Sequence, residues 1–210
     1  MKKKDIKKFI ILITSLIAFQ CLIYFLTKLL QNNFHLLEST FDNFIPFIPH
    51  FVYFYILWYL LLIIIPFLLF KKDKNMFAVY YISYALSVVI AGVIFVIYPT
   101  TIDRPMIKTI NLTTYLVNLI YKLDSPAINL LPSMHCLFCF FFIFSTFKNK
   151  NIKKKYQISI FIISLLIIAS TVFIKQHILI DIIASLIIAT FCFIITKHTK
   201  LVIKFQSKLN

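Results

Sequence analysis

The chain has almost no glycine and very little acid: one Gly and seven Asp and Glu, against 22 Lys and Arg, 24 Phe and 61% hydrophobic residues in a length of 210. With a mean hydropathy of +0.92, this composition lies outside the range of water-soluble domains and leaves no water-soluble core to bury. The scarcity of carboxylates leaves no acidic cluster of the kind a two-metal hydrolase needs. The four cysteines, Cys21, Cys136, Cys139 and Cys192, all fall in apolar stretches where no disulfide framework is expected. CLFC at 136–139 puts two thiols on one helical stripe, but no second pair completes a zinc site. There is no internal repeat, low-complexity linker or second domain, so residues 1–210 read as a single membrane-embedded domain.

What the chain does have is apolar runs of about 18 to 25 residues, the length that crosses a bilayer. They predict an all-α polytopic membrane protein with six transmembrane helices over about 9–29, 51–70, 76–98, 133–147, 156–174 and 178–196. The fourth is short, so its first turn is expected inside the hydrocarbon depth. The opening MKKKDIKKFIILITSLIAF resembles a secretory signal, yet the apolar stretch runs on to Leu26 without a small-x-small cleavage site, which predicts an uncleaved first span.

A net charge of +15 raises the possibility of a nucleic-acid partner, and the placement of the charges argues against one. Seventeen of the 22 cations fall at the N-terminus (Lys2 to Lys8), in KKDKN at 71–75, in KNKNIKKK at 148–155 and from Lys197 to Lys208. With six spans these segments share one side, which the positive-inside rule assigns to the cytoplasm together with both termini. The basic balance reflects topology and contact with anionic lipid heads. The bias toward Lys, Ile, Asn and Phe fits an AT-rich bacterial genome.

Function is then expected in the opposite connections, residues 31–50, 99–132 and KQH at 175–177. In the first, Pro46 and Pro49 prevent a long helix, and the segment is expected to lie in the interface as a cap. In the second, MIKTINLTTYLVNLIYKL repeats apolar residues at helical spacing, which predicts a helix along the membrane surface. His35, His50 and His198 read as interfacial residues. Asp181 is the only carboxylate inside a span, one helical turn after His177 in HILID, so the two side chains share a face. Such a carboxylate can fix the imidazole tautomer and leave the other nitrogen free to attack an electrophile; the pair could equally serve as polar glue between helices. His177, His135 and Arg104 reach the same rim from three connections, and two histidines, an ion-paired carboxylate and cations in one layer suit phosphoryl transfer without a metal.

RP at 104–105, PSMH at 132–135 and STVFIKQHILID at 170–181 resemble the three signature motifs of the type 2 phosphatidic acid phosphatase superfamily of membrane lipid phosphatases and phosphotransferases, in order and separation. The resemblance implies that His177 is a nucleophile forming a phosphohistidine, that His135 protonates the departing oxygen, and that Asp181 orients His177. It also implies that Arg104, Lys175 and Ser133 hold the phosphate, with Lys108 a weaker candidate. No metal or other cofactor is implied. The partners implied are a lipid phosphate and the surrounding membrane lipids. Phosphatidate, prenyl diphosphates, phosphatidylglycerol phosphate and lipid A phosphates all remain open.

Two positions depart from the commonest family pattern. Ile97 stands where a lysine precedes the RP arginine by seven residues, and Thr171 stands where an arginine follows the serine of the third motif. Lys175 can supply one of the missing cations, and the YPT...RP and KQH forms are similar to the branch that includes inositol phosphorylceramide synthases. Lipid phosphate phosphatase is therefore the first reading, head-group phosphotransferase the second, and a non-enzymatic transporter or packing subunit on the same scaffold the third.

Overall fold

The computed structural model describes residues 3–209; Lys2, part of the first basic cluster, lies outside them. In chain order the elements are α1 (Lys3–Leu30), β1 (His35–Leu36), α2 (Thr40–Asn43), a 3-10 turn (Pro49–Phe51), α3 (Val52–Lys72), α4 (Lys74–Ile97), β2 (Thr100–Thr101), α5 (Leu112–Leu123), α6 (Met134–Thr146), α7 (Lys154–Phe173), α8 (Leu179–Lys197) and α9 (Lys200–Leu209). Five helices, α1, α3, α4, α7 and α8, are long and apolar enough to cross a membrane, and α6 is a shorter apolar helix. The protein is thus an all-α polytopic membrane protein. The helices stop where capping chemistry stops them. Asp73 accepts the Met76 amide at 2.9 Å to open α4, Asn111 accepts the Thr114 amide at 2.9 Å to open α5, and Ser133 opens α6 directly after Pro132.

The core lies where α4, α6 and α8 meet. Tyr80, Tyr84, Phe138, Phe141 and Phe142 are all fully enclosed there, and the rings of Tyr84 and Phe138 stack at 3.9 Å. The single glycine has a packing reason: a Cβ on Gly92 would stand 2.5 Å from Ile23 Cγ2, so α1 approaches α4 closely only because that side chain is missing.

All four basic segments gather at one end. Lys8 Nζ donates to the Lys208 carbonyl at 2.5 Å and Lys74 Nζ to the Leu209 carbonyl at 2.7 Å, while Asn149 and Asn151 both donate to Asp73 Oδ2, at 3.1 and 3.0 Å. Helix α9 was not expected, because Lys200, Lys204 and Lys208 make the segment read as a basic tail although five of its ten residues are apolar. It folds by burying Val202 and Leu209 and stacking Phe205 on Tyr81 at 4.9 Å.

At the other end the first and second connections are tied together. β1 pairs in parallel with β2, a two-residue ribbon that the expectation of a purely helical chain did not include. Asn129, in the left-handed region at φ 63°, donates to Tyr24 O and Thr27 Oγ1, both at 3.3 Å, and accepts from Gln31, so the segment before α6 is fastened to α1.

Candidate active site

The turn between α7 and α8 is closed by its own backbone. The amides of Gln176 and His177 both donate to Thr171 O, at 2.9 and 3.0 Å, and Lys175 takes the left-handed conformation at φ 53° that ends the helix. This delivers His177 to a position two residues before α8, beside its first turn, where Asp181 Oδ2 accepts the Ile178 amide at 3.2 Å and faces His177 Nδ1 at 3.0 Å. A carboxylate can only accept, so Nδ1 carries the proton and Nε2 keeps its lone pair. Asp181 is fully buried and its Oδ1 has no hydrogen-bond partner among the described residues.

His135 enters from the first turn of α6. Its ring lies against two rings of α3, Tyr55 at 4.2 Å and Trp58 at 4.1 Å, and its centroid is 6.2 Å from that of His177. His135 Nε2 is buried without a partner among the described residues.

Two cavities meet at His177. An outer one of about 350 Å³ is lined by Arg104 and Lys175 together with Glu38, Asp42 and Asp103. An inner one of about 300 Å³ is lined by His135 and by Tyr24, Phe25, Tyr55, Trp58 and Asp124. Of the expected residues, His177, His135, Asp181, Arg104 and Lys175 therefore converge. Ser133 does not line either cavity. It is fully buried, its Oγ accepts the Cys136 amide at 3.4 Å, and its carbonyl accepts Ser185 Oγ at 2.9 Å. Lys108 is exposed and also lines neither.

The two cations are already engaged. Arg104 Nη1 donates to the carbonyls of Asp124 at 3.0 Å and Tyr121 at 3.4 Å, and Nη2 donates to Asp124 Oδ2 at 2.6 Å and to Gln176 Oε1. The guanidinium also lies 5.0 Å from the Tyr121 ring centroid. Lys175 Nζ donates to Asp42 O at 3.0 Å and Ile45 O at 2.7 Å, which pulls the first connection over the site as the expected cap. Thr171 is buried against Cys136, its Oγ1 3.6 Å from the sulfur, so the position of the family's second arginine carries no charge here. Ile97 is exposed at the end of α4.

Asp42, Asp124, Tyr24 and Gln176 were not foreseen. Asp42 Oδ1 accepts the Leu179 amide at 2.9 Å and so caps α8 from the short helix α2, while Oδ2 accepts Ser39 N and Oγ at 2.9 and 2.5 Å. Burial pushes the Asp42 carboxyl up, but these hydrogen bonds and the Lys175 charge outweigh it and hold it below the usual carboxylate value. Asp124 Oδ1 accepts Tyr24 Oη at 2.7 Å, linking α1 to Arg104. A signal was present: five of the seven carboxylates, Glu38, Asp42, Asp103, Asp124 and Asp181, lie in the half of the chain pattern that carries few cations.

The family model of the PAP2 superfamily matches residues 74–203, from the start of α4 into α9, and takes in Arg104, Ser133, His135, Lys175, His177 and Asp181. No curated protein and no solved structure matches the chain. With more than half of its length matched and the three motifs inside the matched segment, the chain belongs to the PAP2 superfamily, the type 2 phosphatidic acid phosphatases that its motifs resemble.

Proposed function

We propose that the protein is an enzyme of phosphoryl transfer on a membrane lipid phosphate, working through a phosphohistidine at His177 and without a metal. The observation that carries the reading is the 3.0 Å contact of His177 Nδ1 with Asp181 Oδ2, placed beside a second histidine whose Nε2 has no partner among the described residues. One imidazole is held in the tautomer that frees Nε2 for attack, and the other is placed to give a proton to the leaving oxygen and take one from the incoming acceptor. Arg104 and Lys175 supply positive charge beside the nucleophile. The departing lipid alcohol leaves through the inner cavity, and water or an alcohol then attacks phosphorus and restores His177.

Hydrolysis of a lipid phosphate needs only water as acceptor and is the first form of this reaction. Transfer of a phosphorylated head group to a second lipid is the second form; it is favoured by the prior engagement of both cations by protein acceptors, and it is what the likeness to inositol phosphorylceramide synthases implies. By the positive-inside rule the lysine-rich end and both termini face the cytoplasm of a bacterial cell and the site faces outward.

The test is incubation of purified protein with a panel of lipid phosphates, following free phosphate, new phospholipid and an acid-labile phosphoenzyme. Turnover that survives EDTA and disappears in His177→Ala supports the mechanism. A strict divalent-metal requirement, or full activity in His177→Ala, refutes it. A transporter or packing subunit on this scaffold would give no phosphoenzyme with any lipid.

A further inference from the structure

The outer cavity, at about 350 Å³, falls in the range of small-ligand pockets and exceeds what the equatorial oxygens of a phosphate require. We infer that it is a head-group subsite, and that the phosphate attacked by His177 is a diester whose head group carries an amine. This rests on the nucleophilic role of His177 proposed above and adds the substrate class.

The division of the site sets the direction. His177 lines both cavities, His135 only the inner one, Arg104 and Lys175 only the outer one. Since His135 protonates the leaving oxygen, the leaving alcohol lies in the inner cavity, where Phe25, Tyr55 and Trp58 suit hydrocarbon. Attack by His177 is in line with that oxygen, so the remaining substituents of phosphorus spread about the plane across that axis, and the outer cavity, which also meets His177, has the space for one of them. A monoester would place only oxyanions there. A diester places a head group.

Charge then selects the head group. The carboxylates of Glu38, Asp42 and Asp103 line the outer cavity against two cations. Arg104 is ion-paired to Asp124, and the one guanidinium donor it has left, Nε–H, is buried without a partner on a side chain only 9% exposed. A guanidinium shared with Asp124 and the one N–H that Lys175 has left match the single charge of a diester better than the near-dianion of a monoester. Glu38 and Asp103 have no ion pair or hydrogen bond among the described residues and stand exposed at the cavity, where an ammonium group can meet them. Glu38 and Asp42 belong to the cap, outside the segment matched by the family model.

The step balances without a co-reactant other than the acceptor. His177 Nε2 forms a bond to phosphorus, the phosphorus–oxygen bond to the lipid alcohol breaks, and its electron pair takes the proton from the His135 imidazolium. The head group stays on the phosphohistidine in the outer cavity. An acceptor hydroxyl then gives its proton to His135 and its oxygen to phosphorus as the phosphorus–nitrogen bond breaks, yielding a new diester with a lipid alcohol or the free phosphorylated head group with water.

Purified full-length protein would be given phosphatidylethanolamine, phosphatidylglycerol or phosphatidate in mixed micelles with a fluorescent diacylglycerol as acceptor. Phosphatidylethanolamine is expected to have the highest kcat/KM of the three, with its head group appearing on the fluorescent lipid or as phosphoethanolamine. In the double variant Glu38→Gln, Asp103→Asn, KM for phosphatidylethanolamine should rise about fivefold, the effect that two exposed carboxylate–ammonium contacts support, while turnover of phosphatidate increases. A merely structural role for the two carboxylates would move both substrates the same way, and that result overturns the inference. So does phosphatidate as the preferred substrate. If phosphatidate forms a phosphoenzyme on His177 and phosphatidylethanolamine does not, the head-group subsite alone is wrong; if no lipid of either kind does, the mechanism fails and the subsite falls with it.

Discussion

Replacing Asp181 by Asn separates the chemistry of the site from its stability. The carboxylate holds His177 Nδ1 at 3.0 Å and the Ile178 amide at 3.2 Å through one oxygen, and the other oxygen is unpartnered in a fully buried setting. Asparagine keeps the shape and one acceptor but removes the charge that, in the proposed mechanism, stabilises the imidazole as phosphorus binds Nε2. A hydrogen bond to a charged group contributes about 1.5–3 kcal/mol, which corresponds to a fall in kcat of roughly 10- to 150-fold. If the amide turns its N–H toward Nδ1, the proton moves to Nε2 and the loss is larger, because the nucleophilic lone pair is then occupied. Stability should not fall with activity, since the substitution removes a buried charge with an unpaired oxygen while His177 can remain neutral. Single-turnover formation of the phosphoenzyme measures the first quantity and a thermal melt in detergent the second. A kcat within about twofold of the wild type, with an unchanged melt, would refute the orienting role of Asp181.

Other outcomes follow from the same geometry. His135→Ala should lower turnover by about 10²- to 10⁴-fold when the leaving group is a lipid alcohol and far less for a nitrophenyl ester, whose phenolate leaves without a proton; equal losses on both substrates would remove His135 from the acid role. Gly92→Ala drives a methyl to 2.5 Å from Ile23 Cγ2 and should destabilise the fold by about 1–3 kcal/mol, read as a lower melting temperature that Ile23→Ala partly restores. In intact cells, an impermeant thiol reagent should label a cysteine placed at Asn111 and not one placed at Asn151, and the reverse pattern would invert the orientation.

The membrane helices were legible because each is an apolar run ended by charge or proline, and the observed bounds differ from those expected by a few residues. The largest difference is at α1, which already includes Lys3, well ahead of the expected Phe9, because lysine is itself a good helix former. The meeting of His177, His135 and Arg104 was legible because six spans put their three connections on one rim, and that of Asp181 because it follows His177 by one helical turn. What was not legible is pairing across the fold. Asp124 holds Arg104 over 20 residues, Gln176 holds it over 72, and Asp42 caps α8 over 137. No local periodicity encodes such contacts, and in α9 the lysines at every fourth position hide the apolar face formed by Val202, Phe205 and Leu209.

The shortness of α6 bears on how a lipid, the substrate class proposed above, would reach His177. Its 13 residues span about 20 Å, roughly two thirds of a hydrocarbon core of about 30 Å. Ser185 Oγ donates to the Ser133 carbonyl and the Ser133 amide to Asp181 O, which sets the start of α6 about 6 Å below the start of α8. A substrate can therefore be met by a polar indentation that descends toward it, with its tails still among their neighbours. Raising a lipid into water instead would cost about 0.8 kcal/mol for each methylene exposed. Sparing about five methylenes saves about 4 kcal/mol, a factor of roughly a thousand in the rate of capture. A protein with this indentation can draw on lipids held firmly by long saturated chains nearly as readily as on those that leave the bilayer easily.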